Sequence, residues 1–92
     1  MKVAIIGIGL IGGSLARDIR LIWDQAEIIG IDVDTVHVQK AIELGIVNRE
    51  GAWEEIPQMD VVIVSVPVDK ALTVVLEVLD LVNEKTLVID VG

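Results

Sequence analysis

Cysteine does not occur in this chain. Its absence excludes disulfides, thiolate metal sites and a cysteine nucleophile within these residues, and it agrees with the cytoplasm as the expected location. Aromatic residues are almost as scarce: Trp23 and Trp53 stand alone, so the 53 % hydrophobic content is nearly all Val, Ile, Leu and Ala. That composition suits strands buried on both faces. No run of about 18 uncharged apolar residues exists, because Asp60, Asp69, Glu77 and Asp80 interrupt the longest stretches, and no membrane span is expected. Nor does MKVAIIGIGLIGGSLAR read as a signal peptide, since glycines stand where an apolar segment would continue. Cationic side chains are few, seven Lys and Arg against fifteen Asp and Glu. The resulting charge of −8 repels phosphate backbones, so neither nucleic acid nor a membrane surface is an expected partner.

What is present alternates between β-branched runs and helical patterns. Lys2 to Ile6 form such a run, stopped at Gly7, and Ile11 to about Trp23 place Ala16, Ile19 and Ile22 at helical spacing. A second apolar run, Glu27 to Ile31, ends at Asp32. Asp34 is then the expected N-cap of a helix through Leu44 that Gly45 closes at C′. The segment from Ile46 to Glu55 carries the weakest pattern and predicts a very short edge strand followed by a polar helical turn around Trp53 and Glu54. Asp60 to Val66 is the strongest strand, ended by Pro67, which has no N–H to give a ladder. Asp69 is expected to cap a third helix to about Val82, and Thr86 to Val91 to form the last strand.

Gly7, Gly9 and Gly12 spell G-x-G-x-x-G between the first strand and first helix. In that context the first glycine turns the chain, the second admits a pyrophosphate, and the third lets helix meet strand. Leu10 and Ile11 belong to the expected site through the backbone N–H groups that open the helix towards the phosphates. Asp32 ends the second strand 20 residues after Gly12, the offset at which a carboxylate meets the ribose hydroxyls of NAD and repels a 2′-phosphate. An acid there could also be a plain helix cap, but Asp34 can fill that role. Val33 and Asp34 continue the same edge, and no Arg or Lys occurs between Asp32 and Gln39, so NAD is expected over NADP. Ser65, Val66 and Pro67 leave the fourth strand beside the glycine loop and are expected to flank the cofactor, while Asp90 and Gly92 end the neighbouring strand. Each of these last positions could equally be a simple strand end.

The pattern predicts an α/β, Rossmann-type domain: a mostly parallel sheet ordered 3-2-1-4-5 with helices on both faces. A complete doubly wound domain takes roughly 150 residues. Residues 1–92 are therefore expected to be a dinucleotide-binding domain or a fragment of one, truncated before the sixth strand, with no substrate or dimerisation domain. His37, alone on a helix away from the strand ends, reads as a solvated surface residue. Glu50, Glu54 and Glu55 read as a solvated turn, and no metal is assigned because no histidine or cysteine joins them. The third helix, apolar around most of its circumference from Ala71 to Val82, suggests a face that another part of the protein or a second copy would cover.

The strings GIGLIGGSLA (Gly7 to Ala16), IIGIDVD (Ile28 to Asp34), AIELGIV (Ala41 to Val47), DVVIVSVPV (Asp60 to Val68) and VIDVG (Val88 to Gly92) resemble the prephenate and arogenate dehydrogenases of tyrosine biosynthesis. The resemblance covers nearly the whole chain, although β-hydroxyacid-type reductases share parts of it. It implies oxidative decarboxylation of prephenate, or oxidation of arogenate, with hydride transfer to NAD in a homodimer. The catalytic histidine and substrate-binding basic residues would then lie beyond Gly92, so no catalytic residue is assigned here and the chain alone is not expected to turn over substrate. Another NAD(P)-dependent reductase of small keto or imino acids, or a non-catalytic nucleotide-sensing module, would open in the same way. Self-association through the last strand or the third helix is a hazard of an uncovered edge.

Overall fold

A computed structural model describes residues 1–91. The β-branched runs form a parallel sheet of β1 (Lys2–Ile6), β2 (Glu27–Ile31), β3 (Arg49–Glu50), β4 (Val61–Val64) and β5 (Leu87–Asp90), ordered β3-β2-β1-β4-β5. Side chains alternate across a strand, and here both faces are buried. Val3, Ile5, Ile28 and Ile63 pack on one side with Ala16, Val38 and Ala41, from helices α1 (Leu10–Ile22) and α2 (Thr35–Glu43). Ala4, Ile6, Ile29, Val62 and Val64 pack on the other with Val78 of helix α3 (Val68–Leu81) and with Ile56 and Met59, in and just after a 3₁₀ turn over Trp53–Gln58. Reversal of the winding direction after β3 puts β1 and β4 side by side with their crossovers on opposite faces. That arrangement opens a crevice at their C-terminal ends.

The expected strand order and helix sequence are therefore present, and Asp34 caps α2 by accepting a hydrogen bond from the Val36 N–H at 3.0 Å. Gly45, at φ +74°, follows that helix's last residues as expected. Three boundaries differ from the sequence reading. The β4 ladder stops at Val64 because its partner β1 stops at Ile6, although Ser65 still donates to the Ile6 carbonyl at 2.8 Å. Likewise β5 is confined to Leu87–Asp90 by its pairing with Val61–Val64. Asp69 is not the cap of α3. Pro67 occupies that position and Asp69 lies in the first turn, where a carboxylate still meets the positive end of the helix. No helix among the described residues is long and apolar enough to cross a membrane.

One side-chain clamp holds the edge opposite the crevice. Arg20 of α1 donates through Nη1 to the Ala26 carbonyl at 2.6 Å and the Asp24 carbonyl at 3.0 Å, and through Nη2 to Asn48 Oδ1 at 2.5 Å. The same Asn48 oxygen accepts the Ile28 N–H at 2.8 Å, and Ile28 is fully buried. Asn48→Ala leaves that amide without its acceptor, so we expect a loss of about 1–2 kcal/mol, read as a lower urea midpoint with an unchanged slope.

Candidate functional site

The three glycines of the loop after β1 stand in different physical settings. Gly7 has φ +88°, a left-handed conformation that side chains rarely adopt, and a Cβ there would collide with the Ser65 carbonyl oxygen. A Cβ on Gly12 would overlap the Gly7 carbonyl and come within 3.3 Å of Ile5 Cγ2, so this glycine lets α1 sit directly on the end of β1. Gly9 is the opposite case: a Cβ there would meet nothing within 4 Å, because the loop faces open space. Helix α1 has no side-chain cap and no acid in its first turn. The N–H groups of Leu10, Ile11 and Gly12 lack intrahelical acceptors by position and, with the helix dipole, make this end attractive to an anion.

Asp32 directly follows β2 with its side chain 10 % exposed. Its Oδ2 accepts the Ile8 N–H at 2.8 Å, its Oδ1 accepts the Asp34 N–H at 2.8 Å, and the His37 Nδ1 lies 3.2 Å from Oδ2. Burial pushes the Asp32 carboxyl up, but the Asp34 and Ile8 amides and the His37 ring outweigh it and hold the group below its ordinary 3.8. An ionised carboxylate is thereby fixed between the glycine loop and the start of α2.

A cleft of about 700 Å³ runs over these groups. Gly7, Gly9, Leu10 and Ile11 form its floor on one side, Asp32, Val33 and Asp34 its β2 edge, and Ser65, Val66 and Pro67 its β4 edge. Gly12 is not on its surface, consistent with its packing beneath the loop. Trp53, Lys70 and Val74 close the far wall, and none of these was expected from the sequence. His37 corrects the sequence reading. The residue is half exposed but belongs to the cleft, with Nδ1 beside Asp32 and Nε2 3.6 Å from Asp34 Oδ2. Its place in the first turn of α2 aims its side chain back towards the helix N-terminus, which is where Asp32 and Asp34 sit. Asp90 ends β5 but does not line the cleft, and Gly92 lies outside the described residues.

A model of the prephenate dehydrogenase nucleotide-binding domain matches residues 15–92, beginning just after the glycine loop. Arogenate dehydrogenase from Synechocystis superposes with a TM-score of 0.87 at 26 % identity, over 100 % of this chain and 33 % of that one. Prephenate dehydrogenase from A. aeolicus, solved with hydroxyphenyl propionate and NAD+, gives 0.86 at 27 % identity, over 98 % of this chain and 32 % of that one. UDP-N-acetylglucosamine 3-dehydrogenase from Acidithiobacillus ferrooxidans, at 14 % identity and a TM-score of 0.76, over 98 % of this chain and 28 % of that one, shares the fold alone. The chain spans about a third of the length of the first two enzymes.

Because the Asp32 carboxyl is held below 3.8, it stabilises the fold above that pH, where the unfolded chain is also ionised. That contribution is lost as pH falls through the depressed folded value. Asp32→Asn should lower stability by about 1–2 kcal/mol at neutral pH, and the gap from the parent chain should narrow on acidification below 3.8, measured by chemical denaturation at each pH.

Proposed function

Since the chain belongs to the prephenate dehydrogenase nucleotide-binding family through residues 15–92, we propose that it is the NAD-binding portion of a prephenate or arogenate dehydrogenase. The observation that carries this reading is the fixed Asp32 carboxylate at the edge of a cleft floored by the glycine loop. The site fits the cofactor at both of its polar parts. Open space over Gly9 and the uncapped start of α1 suit a pyrophosphate, which needs close backbone approach and donors without neighbouring acids. Asp32 suits the adenosine ribose, with one lone pair of Oδ1 still available by count. Val33, Val66 and Val74 offer apolar walls for the adenine, and Trp53 an aromatic one. Ser65, Val66 and Pro67 would carry the cofactor on towards the reaction centre.

NAD, once bound, supplies the hydride acceptor; the residues here bind and orient it. The substrate-binding and dimer-forming parts of the enzyme, with its proton-handling groups, are proposed to lie outside these residues. The exposed stripe of Leu72, Leu76 and Leu79 on α3 is apolar surface on which the substrate domain can pack.

Calorimetric titration tests the reading. NAD should bind and NADP should bind at least about tenfold more weakly, a difference of about 1.4 kcal/mol; Asp32→Asn should bring the two within about threefold. Failure of both dinucleotides to bind, or unchanged selectivity in the variant, would overturn it. Fluorescence gives a second readout, because Trp53 lines the cleft whereas Trp23 sits at the far end of α1, about 20 Å from the loop at 1.5 Å per residue. NAD should quench emission in Trp23→Phe and leave it unchanged in Trp53→Phe.

A further inference from the structure

Asp32 has to hold ribose hydroxyls, yet most of its acceptor capacity is already taken. A carboxylate oxygen offers about two lone pairs. Oδ1 receives one donor, the Asp34 N–H at 2.8 Å, whereas Oδ2 receives the Ile8 N–H at 2.8 Å and has His37 Nδ1 at 3.2 Å. A first hydroxyl can enter at Oδ1. A second, at Oδ2, can enter only if the imidazole lets go. The Ile8 amide cannot move without dismantling the glycine loop, so His37 is the group that yields.

What it costs His37 to yield depends on its charge. A neutral ring is held by one hydrogen bond from an exposed side chain. A protonated ring is pinned between two carboxylates, Asp32 at 3.2 Å and Asp34 at 3.6 Å. The other charged groups around it are cationic: Lys40 on its own helix and Arg17 across the groove from α1, with Lys70 on the α3 side of the cleft. Neither Arg17 nor Lys40 makes an ion pair among the described residues. In a chain of net charge −8, the ribose end of the cleft thus carries basic groups beside the two carboxylates of Asp32 and Asp34.

We infer that His37 is a specificity-determining residue, setting how strongly the site prefers a free ribose diol over a 2′-phosphorylated one. This rests on the NAD-binding reading above. Neutral His37 releases Asp32 to the diol and leaves the 2′-phosphate facing an uncompensated carboxylate. Protonated His37 competes with the diol for Oδ2 and, together with Lys40 and Arg17, offers positive charge to a phosphomonoester. Both effects move the ratio of affinities in one direction.

The test is the ratio of NADP to NAD dissociation constants, measured by calorimetry from about pH 8 to about pH 5.5, the interval in which histidine ordinarily changes charge. In the parent chain the ratio should fall by about two- to fivefold on acidification, the size of one solvent-exposed ion pair. The phosphate of free NADP itself titrates near pH ~6, and that part of the pH dependence is common to every variant. His37→Gln should therefore retain only that shared part of the fall. His37→Lys should hold the ratio at its low value up to pH ~8, since a lysine stays charged there. A parent chain that binds NAD while its ratio follows the same pH profile as His37→Gln would overturn the inference and leave the NAD reading intact. A parent chain that binds neither dinucleotide would overturn both.

Discussion

One carboxylate ties this structure together where it matters. Asp32 accepts hydrogen bonds from Ile8, in the turn after β1, and from Asp34, the cap of α2, so a single side chain joins the first crossover to the second. The Gly7 amide donates to the Ile31 carbonyl at 2.8 Å one residue earlier, so backbone and side chain lock the glycine loop to the end of β2 at adjacent positions. A lone buried carboxylate would be costly. Here amide donors aimed at its oxygens keep it ionised and at the same time fix the loop they come from. The feature that makes the group stable is also the feature that shapes the site.

That constraint explains why the loop tolerates so little. With Ile31 and Asp32 fixing where it starts, the chain must turn at Gly7 under the Ser65 carbonyl, pass over empty space at Gly9, and re-enter as a helix with Gly12 against the Gly7 carbonyl. Two of these glycines are demanded by the protein's own packing. The third is not: nothing in the chain occupies the space beside Gly9. Packing alone would accept G-x-x-x-x-G. The space above the middle glycine is open to the close backbone approach that a pyrophosphate needs.

The sequence made the sheet legible because its strands are unbroken β-branched runs and its turns are marked by glycine, proline and aspartate. Strand ends were less legible. DVVIVSV continues apolar past Val64, but a ladder ends where its partner ends, and β1 stops at Ile6. The edge strand β3 has only the pairings of Arg49 with Ile29 and of Glu50 with Gly30. It is anchored by charge, Arg49 reaching Glu27 and Glu55, and hydrogen bonds from Arg49 and the Ala52 amide draw the Glu55 carboxyl down to about 2. No periodicity announces such an element. Among the site residues, the loop and Asp32 were readable from spacing, whereas Trp53, Lys70 and Val74 come together only through the crossover after β4. His37 could have been found. Three residues past a capping Asp34 on a helix, its side chain must point back towards the strand end.

An acidic protein that binds an acidic ligand poses an electrostatic problem, and the geometry shows how it is met. At ordinary salt the repulsion from a net −8 is screened beyond about 8–10 Å, so what decides binding is the field within that distance. There the first turn of α1 has no acid, and its amides and dipole present positive potential over the span where a pyrophosphate would lie. The fixed negative charge, Asp32, stands at the other end of the loop, where the ligand offers hydroxyls. Donors face the part of the ligand that carries charge, and an acceptor faces the part that carries protons. Lysine and arginine are not needed for this division. Their presence beside His37 is therefore a separate property of the ribose end, not a requirement for holding the pyrophosphate.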